Sequence, residues 1–381
     1  MKLQTINRDH CILTEEKSLE LLHTFKNFPT FMGCTDKPYE SDTVSDLNIY
    51  ISKNTGMLQI NPLIPLEVLY PESHNSGLVG KSWDDHHESL AKFIMKYNPN
   101  TVLEIGGGHG LLSNKYKKIN RDRKTKWTIV EPNPTVTESA DVKVIKAFFD
   151  NNFILNEKVD AVVHSHLFEH MYDPVGFVKD MNKFLDEGKM TIFSVPNMHV
   201  MFEKLFTNFM NFEHTILLTE QFIDYMLQKN NFSIIEKLYY KQDHSIFYAA
   251  RKSHTQKNHD LPNNYDKNKK NYLEYISFHK SLFKNVDKQI ANEKEVFVFG
   301  AHAQSQFMFH FGLDAKKIYR VLDNDKQKQG RRLCGTNLLV ASPEIIKNCI
   351  KPIVILRAGA FENEIKEQLY SLNKNVMIVT G

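Results

Sequence analysis

The chain has 381 residues, 41% hydrophobic and 24% charged, with 48 Lys and Arg against 45 Asp and Glu and a formal net charge of +3. This near-neutral globular profile excludes a disordered chain and argues against a dedicated nucleic-acid binder, which would carry a basic face. Cys11, Cys34, Cys334 and Cys349 form no CxxC pair, so a reducing cytoplasm is expected and a disulfide framework is not; no signal-peptide pattern or apolar run of about 18 residues marks export or a membrane span.

At roughly 100–200 residues per domain, two or three domains are expected. Leu19, Leu21, Leu22 and Phe25 have helical spacing. Ile49–Ile51 and Met57–Ile60 read as a strand pair about an Asn54-Thr55-Gly56 turn. Leu90, Phe93, Ile94 and Tyr97 predict a helix over 84–97, whose His86-His87 reads as a solvated face. Strands and helices then alternate: Thr101–Ile105, a helix through Leu111–Lys118, and strands at Trp127–Val130, Val142–Lys146, Ala161–His164 and Met190–Val195. Short apolar strands in that rhythm predict an α/β fold, a parallel sheet covered on both faces. Phe232–Leu238 and Ser245–Ala250 predict a closing antiparallel hairpin. Residues 251–294 turn polar and read as a linker followed by a helix. The alternation restarts at Val296–Phe299 and continues to Val376–Val379, a second Rossmann-like unit. The expected division is an N-terminal module over 1–80, a doubly wound core over 81–253, a linker and helix over 254–290 and a C-terminal unit over 291–381.

Between the strand at Thr101–Ile105 and the following helix lies Glu104-Ile105-Gly106-Gly107-Gly108-His109-Gly110. Glycines let the backbone turn sharply and bring its N–H groups against a ligand. GxGxG directly after an acid suits S-adenosylmethionine (SAM), whereas a dinucleotide loop would want its third glycine at Leu111. Glu131 ends the next strand, where a carboxylate accepts both ribose hydroxyls. A structural turn and a nicotinamide site are the competing readings.

With these motifs the chain resembles the class I SAM-dependent methyltransferases. The resemblance implies that Glu104 faces the methionine amino group, Gly106 and Gly108 the sugar, and Glu131 the ribose, with Gly107 and Gly110 completing the loop and Phe149-Asp150 near adenine. Ser165-His166-Leu167-Phe168-Glu169-His170 resembles the segment lining the junction of methyl donor and acceptor, with His166 where many relatives have Asn.

The order of units is similar to that of sugar C-methyltransferases, which act on nucleotide-linked 4-keto-6-deoxy sugars in deoxysugar and surface-polysaccharide biosynthesis. Lys53-Asn54-Thr55-Gly56-Met57-Leu58-Gln59, Asn211-Phe212-Glu213-His214 and Arg357-Ala358-Gly359-Ala360 carry that similarity. The family's N-terminal zinc is held by two CxxC pairs; here those places read Cys11 to Thr14 and Ser52 to Thr55. Zinc needs about four N or S ligands, so no metal is expected. The stretch with Tyr70, His74 and Asn75 approaches substrate in the resembling enzymes.

A carbon nucleophile requires removal of a proton beside a ketone and stabilisation of the enolate, work suited to a histidine. His214 with Glu213 is the candidate base, and His170 the candidate enolate or acceptor contact. The same base serves O-methylation of a sugar or another small metabolite, and a non-catalytic SAM-binding scaffold is the alternative from another class. In the C-terminal unit, Gly300-Ala301-His302 is a degraded phosphate loop, expected to wall a nucleotide-sugar site rather than bind a nicotinamide cofactor. The basic Lys328–Arg332 run is expected to meet a diphosphate or stand in solvent. Oligomeric state is left open.

Overall fold

The computed structural model describes residues 3–69, 81–139, 141–253, 261 and 263–380. The chain opens on a small antiparallel sheet: β1 (Leu19–Pro29) pairs with β3 (Val44–Ser52), which pairs with β4 (Leu58–Ile60), while β2 (Cys34–Thr35) lies apart. The expected helix at Leu19–Phe25 is therefore a strand. Its register slips between Leu21 and His23 and again between Phe25 and Phe28. Each slip inserts an unpaired residue, and the first, at Leu22, breaks the period-two pattern within Leu19–Phe25 into helix-like spacing. A short helix, α1 (Leu66–Leu69), follows.

Helix α2 (Lys81–Met95) leads into β5 (Thr101–Ile105), α3 (Leu111–Ile119), β6 (Lys126–Val130), β7 (Val142–Ile145), β8 (Ala161–Ser165), α4 (Pro174–Phe184) and β9 (Met190–Pro196). Then come α5 (Met198–Glu203), α6 (Glu220–Lys229) and the hairpin of β10 (Phe232–Tyr240) and β11 (Ser245–Lys252). The sheet runs β10-β11-β9-β8-β5-β6-β7, parallel except where β11 pairs. From central β5 the chain first builds outward through β6 and β7, then crosses to β8 on the other side. That reversal opens a crevice at the carboxyl ends of β5 and β8, where doubly wound sheets bind ligands. The strands are buried on both faces, by Leu103, Ile105, Val162 and Phe193 on one and Val102, Ile129, Val163 and Ile192 on the other.

Helix α7 (Tyr265–Gln289) packs Tyr272, Tyr275, Ile276 and Phe283 into the core. The last unit comprises β12 (Val296–Phe299), α8 (Ala303–His310), β13 (Arg320–Leu322), β14 (Arg332–Leu333), β15 (Val340–Ala341), β16 (Ile353–Leu356), α9 (Glu362–Leu372) and β17 (Met377–Val379). Its sheet is wholly parallel, in the order β15-β13-β12-β16-β17. β14 instead pairs antiparallel with β2. Beside that pairing, the buried Arg332 guanidinium meets Asp42 through two bonds of 2.7 Å. No helix among the described residues is long and apolar enough to cross a membrane.

Candidate functional site

The glycine loop between β5 and α3 has two residues that only glycine adopts without strain, Gly106 at φ +75° and Gly110 at φ +64°. A Cβ on Gly107 would stand 2.5 Å from the Glu104 carboxylate, and one on Gly108 would reach Glu131 at 3.4 Å. The loop is thus folded tightly over both acids. Glu131 accepts from the Asn133 N–H at 3.0 Å. Glu104 is buried and accepts from the Trp127 indole at 2.7 Å; burial pushes its carboxyl up to about 7, the indole bond opposing. Phe149 lies against Phe153, Phe177 and Phe184, an apolar wall beyond the end of β7.

His166 follows β8 in a left-handed conformation, φ +48°. Its Nε2 is 2.8 Å from the Ser245 hydroxyl and its Nδ1 is 3.2 Å from Glu169 Oε1. Glu169 is 1% exposed, and its other oxygen has no partner among the described residues. Burial would raise its carboxyl, but the hydrogen bond to His166 and the neighbouring imidazoles outweigh it, down to about 2.

His170 and His214 meet edge to face, ring centroids 4.8 Å apart, and each has a ring nitrogen within 4.8 Å of the Glu169 carboxylate. Asn211 shapes the turn carrying His214, its Oδ1 accepting from the N–H groups of Glu213 and His214 at 2.8 and 3.0 Å. Burial, then His170, pushes the His214 imidazole down to about 4, against Glu169 and Glu213, so it is unprotonated at neutral pH. Arg8 steadies this segment from the N-terminal side, donating to Thr215 O at 2.8 Å and Ile60 O at 2.9 Å. Tyr70, His74 and Asn75 lie outside the described residues.

Residues 81–237 match the family model of a methyltransferase domain, and residues 250–379 that of a C-methyltransferase C-terminal domain. The protein is a SAM-dependent methyltransferase.

No curated protein matches the chain in sequence. Solved structures similar to part of this methyltransferase include N-methyltransferase NodS from Bradyrhizobium japonicum WM9, 14% identical over 46% of this chain and 99% of that one, TM-score 0.35. The same enzyme with S-adenosyl-L-homocysteine is 13% identical over 48% and 93%, TM-score 0.37. Human N-acetylserotonin methyltransferase with SAM is 12% identical over 45% and 52%, TM-score 0.39.

The residues present fit the cofactor: a loop that only glycines close, an acid ending each of the two flanking strands and an aromatic wall beyond them. The zinc module of the resembling enzymes is different. Cys11 is buried beside hydroxyls, its Sγ 3.6 Å from Thr55 Oγ1, and Ser52 is hydrogen-bonded to Ser18. One thiol among hydroxyls does not fit the zinc donor set.

Two expectations are corrected. His86 and His87 are buried, 0% and 6% exposed, because this face of α2 packs inward and Tyr240 and Phe247 flank the His86 ring. In the basic run at Lys328–Arg332, Arg332 does not stand in solvent but is buried against Asp42, while Lys328 pairs with Asp323 and Arg331 with Asp36. Sequence reasoning also missed Glu169, His244 and Trp83. Only Glu169 left a signal, an acid between His166 and His170 in a His-x-x-Glu-His run. A polar cleft of about 400 Å³ opens between the two larger sheets, lined in part by Lys204, Thr207, Asp243, Gln304 and Arg357.

Proposed function

We propose that this methyltransferase methylates a carbon beside the ketone of a nucleotide-linked sugar, with His214 as base, in cytoplasmic deoxysugar or surface-polysaccharide biosynthesis. The observation that carries this reading is the convergence of Glu169, His170 and His214 at the carboxyl edge of the first parallel sheet. The match of residues 250–379 to a C-methyltransferase C-terminal domain supports it.

In this reading Glu104, the 106–110 loop and Glu131 would hold SAM, with Phe149 near adenine and His166 near the methionine end. The bound cofactor supplies a methyl group already made electrophilic by its sulfonium. His214 takes the proton from the sugar carbon and becomes imidazolium. Ionised Glu169, together with Glu213, offsets that charge. His170 donates to the enolate oxygen and orients the acceptor. The buried aromatic surroundings keep water from the carbanion. The 1–80 module and the cleft near Arg357 are the proposed contacts for the sugar and its nucleotide.

Methylation of oxygen is a second reading. It is favoured by Phe212, which turns into the core against Phe28 where the resembling motif has a polar residue. Incubation with SAM and a panel of nucleotide 4-keto sugars tests both. S-adenosylhomocysteine release, a one-methyl mass gain and His214-dependent deuterium exchange beside the ketone are expected. Turnover only on hydroxy sugars moves the reaction to oxygen; SAM binding without any turnover leaves a scaffold.

A further inference from the structure

A second histidine cluster lies apart from His170 and His214. His86 projects from α2, His166 follows β8 and His244 precedes β11. One ring nitrogen from each lies within 4.8 Å of the others. Trp83 roofs the group, its ring centroid 4.9 to 5.4 Å from all three imidazoles. Both ring nitrogens of His86, which is 0% exposed, and Nε2 of His244 are buried without a hydrogen-bond partner. Leaving buried polar nitrogens unsatisfied costs free energy that packing alone does not return. A shared ligand would satisfy one nitrogen from each ring at once.

The geometry points to a divalent transition-metal site formed by His86, His166 and His244. Three imidazoles suit zinc, cobalt, nickel or copper rather than magnesium or calcium. Metal–nitrogen bonds of about 2.0–2.1 Å in a tetrahedron put ligand nitrogens roughly 3.4 Å apart, so the rings must close inward and His166 Nε2 must exchange the Ser245 hydroxyl for the ion. The supporting groups of such sites are present. Glu169 holds His166 Nδ1, the carboxylate–histidine arrangement that fixes a ligand's tautomer, and the Ser245 hydroxyl lies 2.7 Å from His244 Nδ1. Three protein ligands leave a fourth position open. Glu169 also faces His170 and His214, so occupancy is felt at the proposed base through one shared carboxylate.

The test is titration of full-length, tag-free, chelator-stripped protein with Co²⁺, read by visible absorption and metal content. One Co²⁺ per chain with a ligand-field spectrum, displaced by Zn²⁺, is expected. His86→Ala and His244→Ala should each abolish that spectrum while far-ultraviolet circular dichroism stays native. His244→Cys should keep the ion and add a thiolate-to-cobalt charge-transfer band, a result that misfolding cannot imitate. Glu169→Gln should weaken binding about 10–100-fold, and His214→Ala should leave the spectrum unchanged. Absence of stoichiometric binding, a spectrum surviving both alanine changes, or its loss in His214→Ala overturns the site. These readouts need no substrate, so they stand or fall separately from the methylation chemistry.

Discussion

The two parallel sheets of this protein share a plan and differ in what they leave unused. Each has a central strand, a turn beginning at a positive-φ glycine, a helix and an acid ending the next strand. In the first, Gly106 to Gly110 fold over Glu104 and Glu131. In the second, Asp323 accepts from the Ala301 N–H at 2.8 Å and from Lys328 at 3.2 Å, while the Ser305 hydroxyl donates to the Gly300 carbonyl. The second turn satisfies its own polar groups. Topology alone therefore does not make a cofactor site; the groups a fold leaves available do.

The proposed base, over the first sheet, gives the largest contrast. His214→Ala should lower kcat on the methyl acceptor by about 10²–10⁴-fold with SAM affinity unchanged, measured by steady-state kinetics and calorimetry. An equal loss from disturbing the second loop would break the comparison.

Glu104 tests how available the first sheet's acids are. Its carboxyl is raised from 4.5 to about 7 by burial. The folded chain thus keeps a proton that the unfolded chain releases. The burial cost is absent below about 4.5 and grows as pH rises through 7. Glu104→Gln, which keeps an oxygen for Trp127, should gain stability relative to wild type from pH 5 to 8, by about 3 kcal/mol, in denaturant titrations. It should also bind SAM more weakly. Unchanged SAM affinity would mean that Glu104 serves only the indole, as Asp323 serves its own loop.

The glycines give a smaller, paired effect. Gly106→Ala places a Cβ at positive φ and 3.0 Å from Leu167, and should weaken SAM binding about tenfold at a strain cost of about 1–2 kcal/mol. Gly300→Ala, at φ +99° with nothing within 4 Å, should cost similar stability and leave SAM affinity intact, by calorimetry. Smallest, Asp323→Asn should lower Tm by a few degrees without touching SAM affinity, since Lys328 and Ala301 lose only a partly exposed partner.

What the sequence disclosed follows the range of the interactions involved. Thr101–Ile105, Trp127–Val130 and Ala161–His164 were readable because central parallel strands are continuous apolar runs, buried on both faces. β1 was not, since its bulges are set by pairing with β3. His170 and His214 could be named from chemistry and resemblance, and their rings do meet. His86 and His244 could not, because their meeting depends on α2 and β11 folding back beside β8, which no spacing records. The burial of Arg332 went unread for the same reason: Asp42 lies near the other end of the chain.

That last pairing orders the protein's birth. Asp42 leaves the ribosome long before Arg332 is made, so β2 stays unpaired and one carboxylate unanswered until most of the chain has emerged. Closure of so long a loop is slow, so the β2–β14 seam is a late stitch of the nascent protein. A chain cut short before Arg332 would carry that open edge permanently, a surface for quality control to recognise.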